Sequence, residues 1–322
     1  MTLTLDGFAE ADHELLGGLK VLLLEQGLYG TLVAGILELL PDPSTWRLTI
    51  TNDIVGTVNR LSEPTEDGPY TTDRGAGYVG AITVPSPDGT FDIAMSVEGL
   101  LLTAPESAST VEEYRDYVLE VARHLSRHEA GHALLRLRNE HATAFSDAGI
   151  SDLTEAWWAL PLANHIEENR IEQYTATHAP SPRLQVDHLA DALGHLRAEL
   201  NEAKRTWSTD IRAAADRTNI AINDLIRVLA YLAPELGLDD NGRPNRPHPR
   251  PEGWNEYIEE SWDAWSLTLH ELKPVDTPMT ALELQGILKL LCRLVVVWMD
   301  SIGVDALITE EGQSMYWTAD AY

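Results

Sequence analysis

Apolar residues run almost without interruption through "LLGGLKVLLLEQGLYGTLVAGILELL", and Pro41 follows directly, so residues 11–40 predict one helix stopped by proline. From Trp46 the period changes to two. Trp46, Leu48 and Ile50 alternate with polar residues, the pattern of a half-buried strand. Residues 77–84, "GYVGAITV", and 90–97, "TFDIAMSV", flank "PSPDG", whose Asp88-Gly89 supplies turn chemistry; together they predict a β-hairpin. No later stretch reads as strand.

After Pro105 the period becomes helical. Thr110-Val111-Glu112-Glu113 has the spacing of a capping box and opens a helix to about Asn139. Tyr114, Val118, Val121 and Leu125 share one face of it, and His128, His132 and Leu135 continue that face. Further helices are predicted over 152–176 (kinked or restarted at Pro161), 183–206, 209–233, 255–272 and 279–302. Prolines 244, 247, 249 and 251 make 239–253 an exposed loop or linker. The expected fold is therefore α+β and mostly helical: a small N-terminal antiparallel sheet packed on the histidine-bearing helix, then a C-terminal helical region. Three segments follow: a helical 1–44, a core of 45–180 and a helical 181–322 that includes the proline-rich loop.

Composition narrows the function. The chain has 322 residues, 44% of them hydrophobic, enough for a sizeable core. Against 51 acidic residues stand 23 basic ones, a net charge of −28, and no basic stripe exists to displace the counterions of a nucleic acid. Cys292 is the single cysteine, which excludes an internal disulfide and a thiolate metal cluster. The opening "MTLTLDGFAEADHELLGG" lacks a basic segment before an apolar run, so no signal peptide is expected. The most apolar stretch, "LQGILKLLCRLVVVWM", carries Lys289 and Arg293 and is shorter than the ~20 residues of a membrane span. A cytoplasmic protein that does not enter a membrane is the simplest expectation.

The candidate chemistry lies in "HLSRHEAGHALLRL", residues 124–137. Residues i and i+4 of a helix share a face about 6 Å apart along the axis, so His128 and His132 can converge on one ion. Glu129 falls about 100° around the helix, beside such an ion, where a base acting on metal-bound water would stand. A catalytic zinc needs a third protein ligand and an open position. Downstream, "LANHIEENRIEQY" (162–174) offers Asn164, Glu167, Glu168 and Glu172 on a predicted helix. One carboxylate of the pair Glu168 and Glu172 can bind the ion while the other steadies a ligand histidine. Glu167 competes with Glu168: it falls on the apolar arc of Ala163, Ile166, Ile171 and Tyr174, whereas Glu168 has the i, i+4 partner.

HEAGH followed by a glutamate helix resembles the gluzincin branch of zinc metallopeptidases, of which thermolysin is the familiar member. The resemblance covers about residues 78–172. It implies a zinc-dependent peptidase acting on peptide or protein: His128, His132 and Glu168 as zinc ligands, Glu129 as general base and acid, and Glu172, with Asn164 on the same stripe, in support. In zincins an edge strand beside the active-site helix binds extended peptide, a role open to either strand of the hairpin. Tyr231, Tyr257, Tyr316 and His270 are candidates for stabilising the oxyanion. HEAGHA also looks like the string of AAA-type membrane-anchored proteases, but no GxxxxGK[ST] accompanies it. Two other readings stand beside the peptidase. A zincin-shaped domain can bind or regulate without catalysis, and Glu129-Ala-Gly-His132 is also the Glu-x-x-His unit of di-iron bundles, which need a second such unit on another helix.

Overall fold

The computed structural model describes residues 2–62, 69–72, 79–102 and 108–322. Pro105 and the first two residues of the predicted strand 77–84 lie outside them. The protein is α+β and mostly helical, and its chain divides into two compact units. The first comprises the described residues up to 137 together with 175–182; the second comprises 138–174 and 183–322.

The first unit is built around a four-stranded sheet. Its elements are β1 (Leu3–Asp6), α1 (His13–Leu24), α2 (Leu28–Leu39), β2 (Trp46–Thr51), α3 (Ile54–Leu61), β3 (Ala81–Pro85), β4 (Phe91–Ser96) and α4 (Val111–Leu137). Strand order is β1-β2-β4-β3, with β1, β2 and β4 parallel and β3 antiparallel to β4. The sheet is thus mixed where an antiparallel one was expected. The α1–α2 crossover returns the chain to the same end before β2, and β3, running the opposite way, returns it before β4, which makes those pairings parallel. Only the β3–β4 hairpin turns back on itself, with Gly89 at φ 81° in its turn.

The single helix expected over 11–40 is two. Gly27 adopts φ 85°, a left-handed conformation that no residue in a continuous right-handed helix can hold, and the chain bends there. The β2 strand is buried on both faces, not half-buried, because β1 and β4 flank it and helices cover the sheet. β1, four residues long, was not anticipated. The capping box of α4 is formed: Glu113 N donates to Thr110 Oγ1 at 3.1 Å and Thr110 N to Glu113 Oε2 at 3.0 Å. α2 backs α4 so closely that a Cβ on Gly35 would lie 2.0 Å from Ser126 Oγ.

The second unit is helical, with α5 (Ala142–Phe145), α6 (Leu153–Trp157), α7 (Ala159–His178, whose last turn belongs to the first unit), α8 (Gln185–Thr206), α9 (Ile211–Leu236), α10 (Trp254–Tyr257), α11 (Trp262–His270) and α12 (Ala281–Ser301). Pro161 sits in the first turn of α7, where its missing N–H costs no helical bond; it marks a fresh start. A core of leucines and alanines from α8 and α9, with Trp254, Trp262, Trp265 and Trp298, holds the unit together. The proline-rich segment is irregular but anchored: Trp262 Nε1 donates to Asn245 O at 2.8 Å, and Arg246 pairs with Glu259 and Asp263. A hairpin, β5 (Val304–Thr309) with β6 (Gly312–Trp317), closes the chain where no strand was expected. Among the described residues no single helix is long and apolar enough to cross a membrane; one bent pair, Glu10–Leu24 with Leu28–Leu39, passes on length and composition alone.

Candidate metal centre

Three histidines, not two, line one face of α4. His124, His128 and His132 recur every four residues, with ring centroids 5.8 Å and then 5.0 Å apart. His124 and His128 are buried and His132 is partly exposed. His124 Nδ1 lies 3.2 Å from the Ala179 carbonyl oxygen, which can only accept; the tautomer that makes this bond presents Nε2 as the lone-pair nitrogen. His128 Nε2 and His132 Nε2 are 3.3 Å apart. Two nitrogens bound tetrahedrally to zinc at about 2.0–2.1 Å are separated by about 3.3–3.4 Å, so this spacing fits a shared ion.

Glu129 is buried on the same helix, beside the histidine stripe. Thr83 of β3 donates to its Oε2 at 2.9 Å and lies equally close to its backbone oxygen. The edge strand of the sheet therefore holds one carboxylate oxygen of Glu129.

Glu167 and Glu168 on α7 each meet a defined donor. The Glu167 carboxylate accepts the Ala142 N–H at 2.8 Å, at the start of α5, and is buried for that purpose. Glu168 Oε2 accepts the hydroxyl of Tyr231 from α9 at 2.7 Å. Burial, reinforced by the Glu168 carboxylate, pushes the Tyr231 phenol well above its usual range, so it stays a donor. Arg170, fully buried, pairs with Glu140 at 2.8 Å and donates to the carbonyls of Lys273 and Thr277. His165 is buried with Nε2 2.9 Å from Asn223 Oδ1, and burial depresses its pKa to about 4. Asn164 is exposed, and its amide donates to Leu160 O one turn back.

His124, His128 and His132 belong to the first unit, and Glu167, Glu168 and Glu172 to the second. His124 and His128, both buried, offer ring nitrogens that could hold a metal ion. Glu172, expected to steady a ligand histidine, is buried on α7.

Three residues that sequence reasoning left aside or open now have places. His124 extends the four-residue spacing of His128 and His132 by one more turn, a signal the sequence itself carries. Thr83 had no signal beyond its place in the predicted hairpin. Tyr231 was one of four oxyanion candidates. Of the others, Tyr257 is buried beneath Arg197, Tyr316 is exposed on β6, and His270 Nδ1 is bound to Ser266 O at 2.7 Å. No protein-family model, curated protein or solved structure matches the chain.

Proposed function

We propose that the protein is a zinc-dependent peptidase, with His128, His132 and Glu168 holding the ion and Glu129 as the general base. The observation that carries this reading is the 3.3 Å separation of His128 Nε2 and His132 Nε2, the edge length of a tetrahedral zinc site, one residue from a buried glutamate. The ion supplies Lewis acidity, acidifying a bound water and polarising a carbonyl. Thr83 holds the Glu129 carboxylate through Oε2, and Glu129 is the group that would take a proton from water and deliver it to the leaving amine. β3, the antiparallel edge of the sheet, suits an extended peptide that adds by backbone pairing, with Thr83 linking that strand to the base. Cys292 takes no part: it is buried, and its thiol is pushed up to about 12. The substrate is a peptide or protein, with no nucleic acid, and the site of action is the cytoplasm.

A second reading has its own support. His124 and His128 are both buried, as befits ligands of a structural ion in a non-catalytic zincin-like binding domain. Glu129→Gln separates the two. The amide is nearly isosteric but cannot accept the proton, so the variant should retain zinc and lose peptide hydrolysis by at least about 100-fold. Zinc-loaded wild type that cleaves none of a set of unfolded proteins would favour the structural ion. Hydrolysis unchanged in Glu129→Gln would remove the assigned base.

A further inference from the structure

Within the second unit, α12 and β5 are both tied to α6. Arg293 of α12 pairs with Glu155 of α6 at 3.6 Å, and Ile308 N of β5 donates to Thr154 Oγ1 of α6 at 2.9 Å. Around these ties the surface is apolar. Leu290 and Val297 stand one turn to either side of Arg293, and Val297 is 67% exposed. Leu153 and Trp157, four residues apart on α6, are both exposed, Trp157 to 51%. Leu307, next to Ile308, is 55% exposed. Single apolar residues on a surface are ordinary, whereas a set gathered around a half-exposed tryptophan and an arginine has the make-up of an interface. Gly286, one turn before Leu290, adds a second sign. A glycine inside a helix weakens it relative to alanine, and among the described residues no atom lies within 4 Å of a Cβ built there. The fold itself has no need of the missing side chain; a closely approaching surface does.

We propose that this face of α6, α12 and β5 docks a second copy of the chain, related by a two-fold axis. Charge selects that occupant. With a net charge of −28, two copies repel one another over most of their surface. Here both signs are present, each on its own element: Lys289 and Arg293 on α12, Asp152 and Glu155 on α6. In a two-fold contact a patch faces itself in reverse, so that residue i meets j while j meets i. The basic α12 of one copy then lies on the acidic α6 of the other, and the apolar side chains close between them. An acidic partner protein would satisfy α12 alone and a basic one α6 alone. A second copy meets both.

The test is sedimentation velocity on the full chain over a range of about 1 to 100 μM, because a dimer follows mass action. Wild type should approach twice the 35.6 kDa chain mass as concentration rises. Trp157→Asp should weaken dimerisation on the order of 30-fold, the loss expected of a residue at the heart of an interface. Trp207→Asp alters a tryptophan of similar exposure, 48%, at the end of α8, and should leave the dimer unchanged. Arg293→Glu turns α12 acidic and should weaken the dimer by about 10-fold or more through like-charge contact. Circular dichroism checks that each variant is folded; if Trp157→Asp is not, Val297→Asp takes its place. A wild type that stays at the mass of one chain throughout overturns the inference. So does a Trp157→Asp or Arg293→Glu dimer as tight as wild type, or a Trp207→Asp dimer weakened as much as Trp157→Asp.

Discussion

Helices α4 and α7 both bury an unusual number of polar groups, and they satisfy them in opposite ways. On α7 each group has a partner suited to its own chemistry: Glu167 an amide N–H, Glu168 a phenol, Arg170 a carboxylate and two carbonyls, Asn169 a carbonyl. On α4 the prominent feature is a row of imidazoles facing one another, His128 Nε2 toward His132 Nε2. Stacked imidazoles gain little from each other, since each neutral ring offers one donor and one acceptor. The difference teaches that burial of a polar residue does not by itself mark a ligand: Glu167 is buried, yet its carboxylate serves an amide N–H.

That contrast can be broken most severely at Glu140. In metal-free protein Glu140→Ala should cost about 3–5 kcal/mol by urea unfolding, because it leaves the Arg170 guanidinium buried without its counter-charge. A loss below about 1 kcal/mol would show that the α7 network is not structural. The next effect is one of pH. His165 titrates near 4 in the fold against 6.5 when exposed, so the unfolded chain takes up the proton first as pH falls. Stability is complete above 6.5 and is lost between 6.5 and about 4, by on the order of 3 kcal/mol if the whole shift is realised. Urea midpoints across that window should fall in metal-free wild type and flatten in His165→Gln; parallel curves would deny His165 the role. The smallest effect belongs to α4. His132→Ala in metal-free protein should cost about 1 kcal/mol or less, the worth of one neutral hydrogen bond. A cost matching that of Glu140→Ala would erase the distinction between the helices.

The sequence made some of this architecture legible because it depends on local periodicity. The α4 face, its capping box and the β3–β4 hairpin all follow from residues within a few positions of one another. What it concealed depends on distant partners or on a single backbone angle. β1 is only four residues long and gains its strand from pairing with β2, over forty positions away. The break at Gly27 lies in an apolar run where a glycine is equally compatible with helix. In the last hairpin Val304, Ala306 and Ile308 do alternate, but the run is short and follows a long helix. At the site, two arguments competed for the glutamates. Burial favoured Glu167 and spacing favoured Glu168; Glu167 is indeed buried, yet its carboxylate serves the Ala142 amide. No pattern in the sequence announces that Thr83 or Tyr231 meets a glutamate, since each contact joins elements separated by dozens of residues.

The central proposal is that the imidazole row of α4 binds a metal, and His128 tests it most directly because it stands in the middle of that row, with a ring neighbour on either side. Metal-free wild type and His128→Ala would each be titrated with zinc against a chromophoric chelator, with folding followed in parallel by circular dichroism. The account predicts about one zinc per chain in wild type, as a single site with three protein ligands requires, and loss of tight binding in a variant that remains folded. Folded His128→Ala that binds zinc as tightly as wild type, or wild type that binds none, would contradict it.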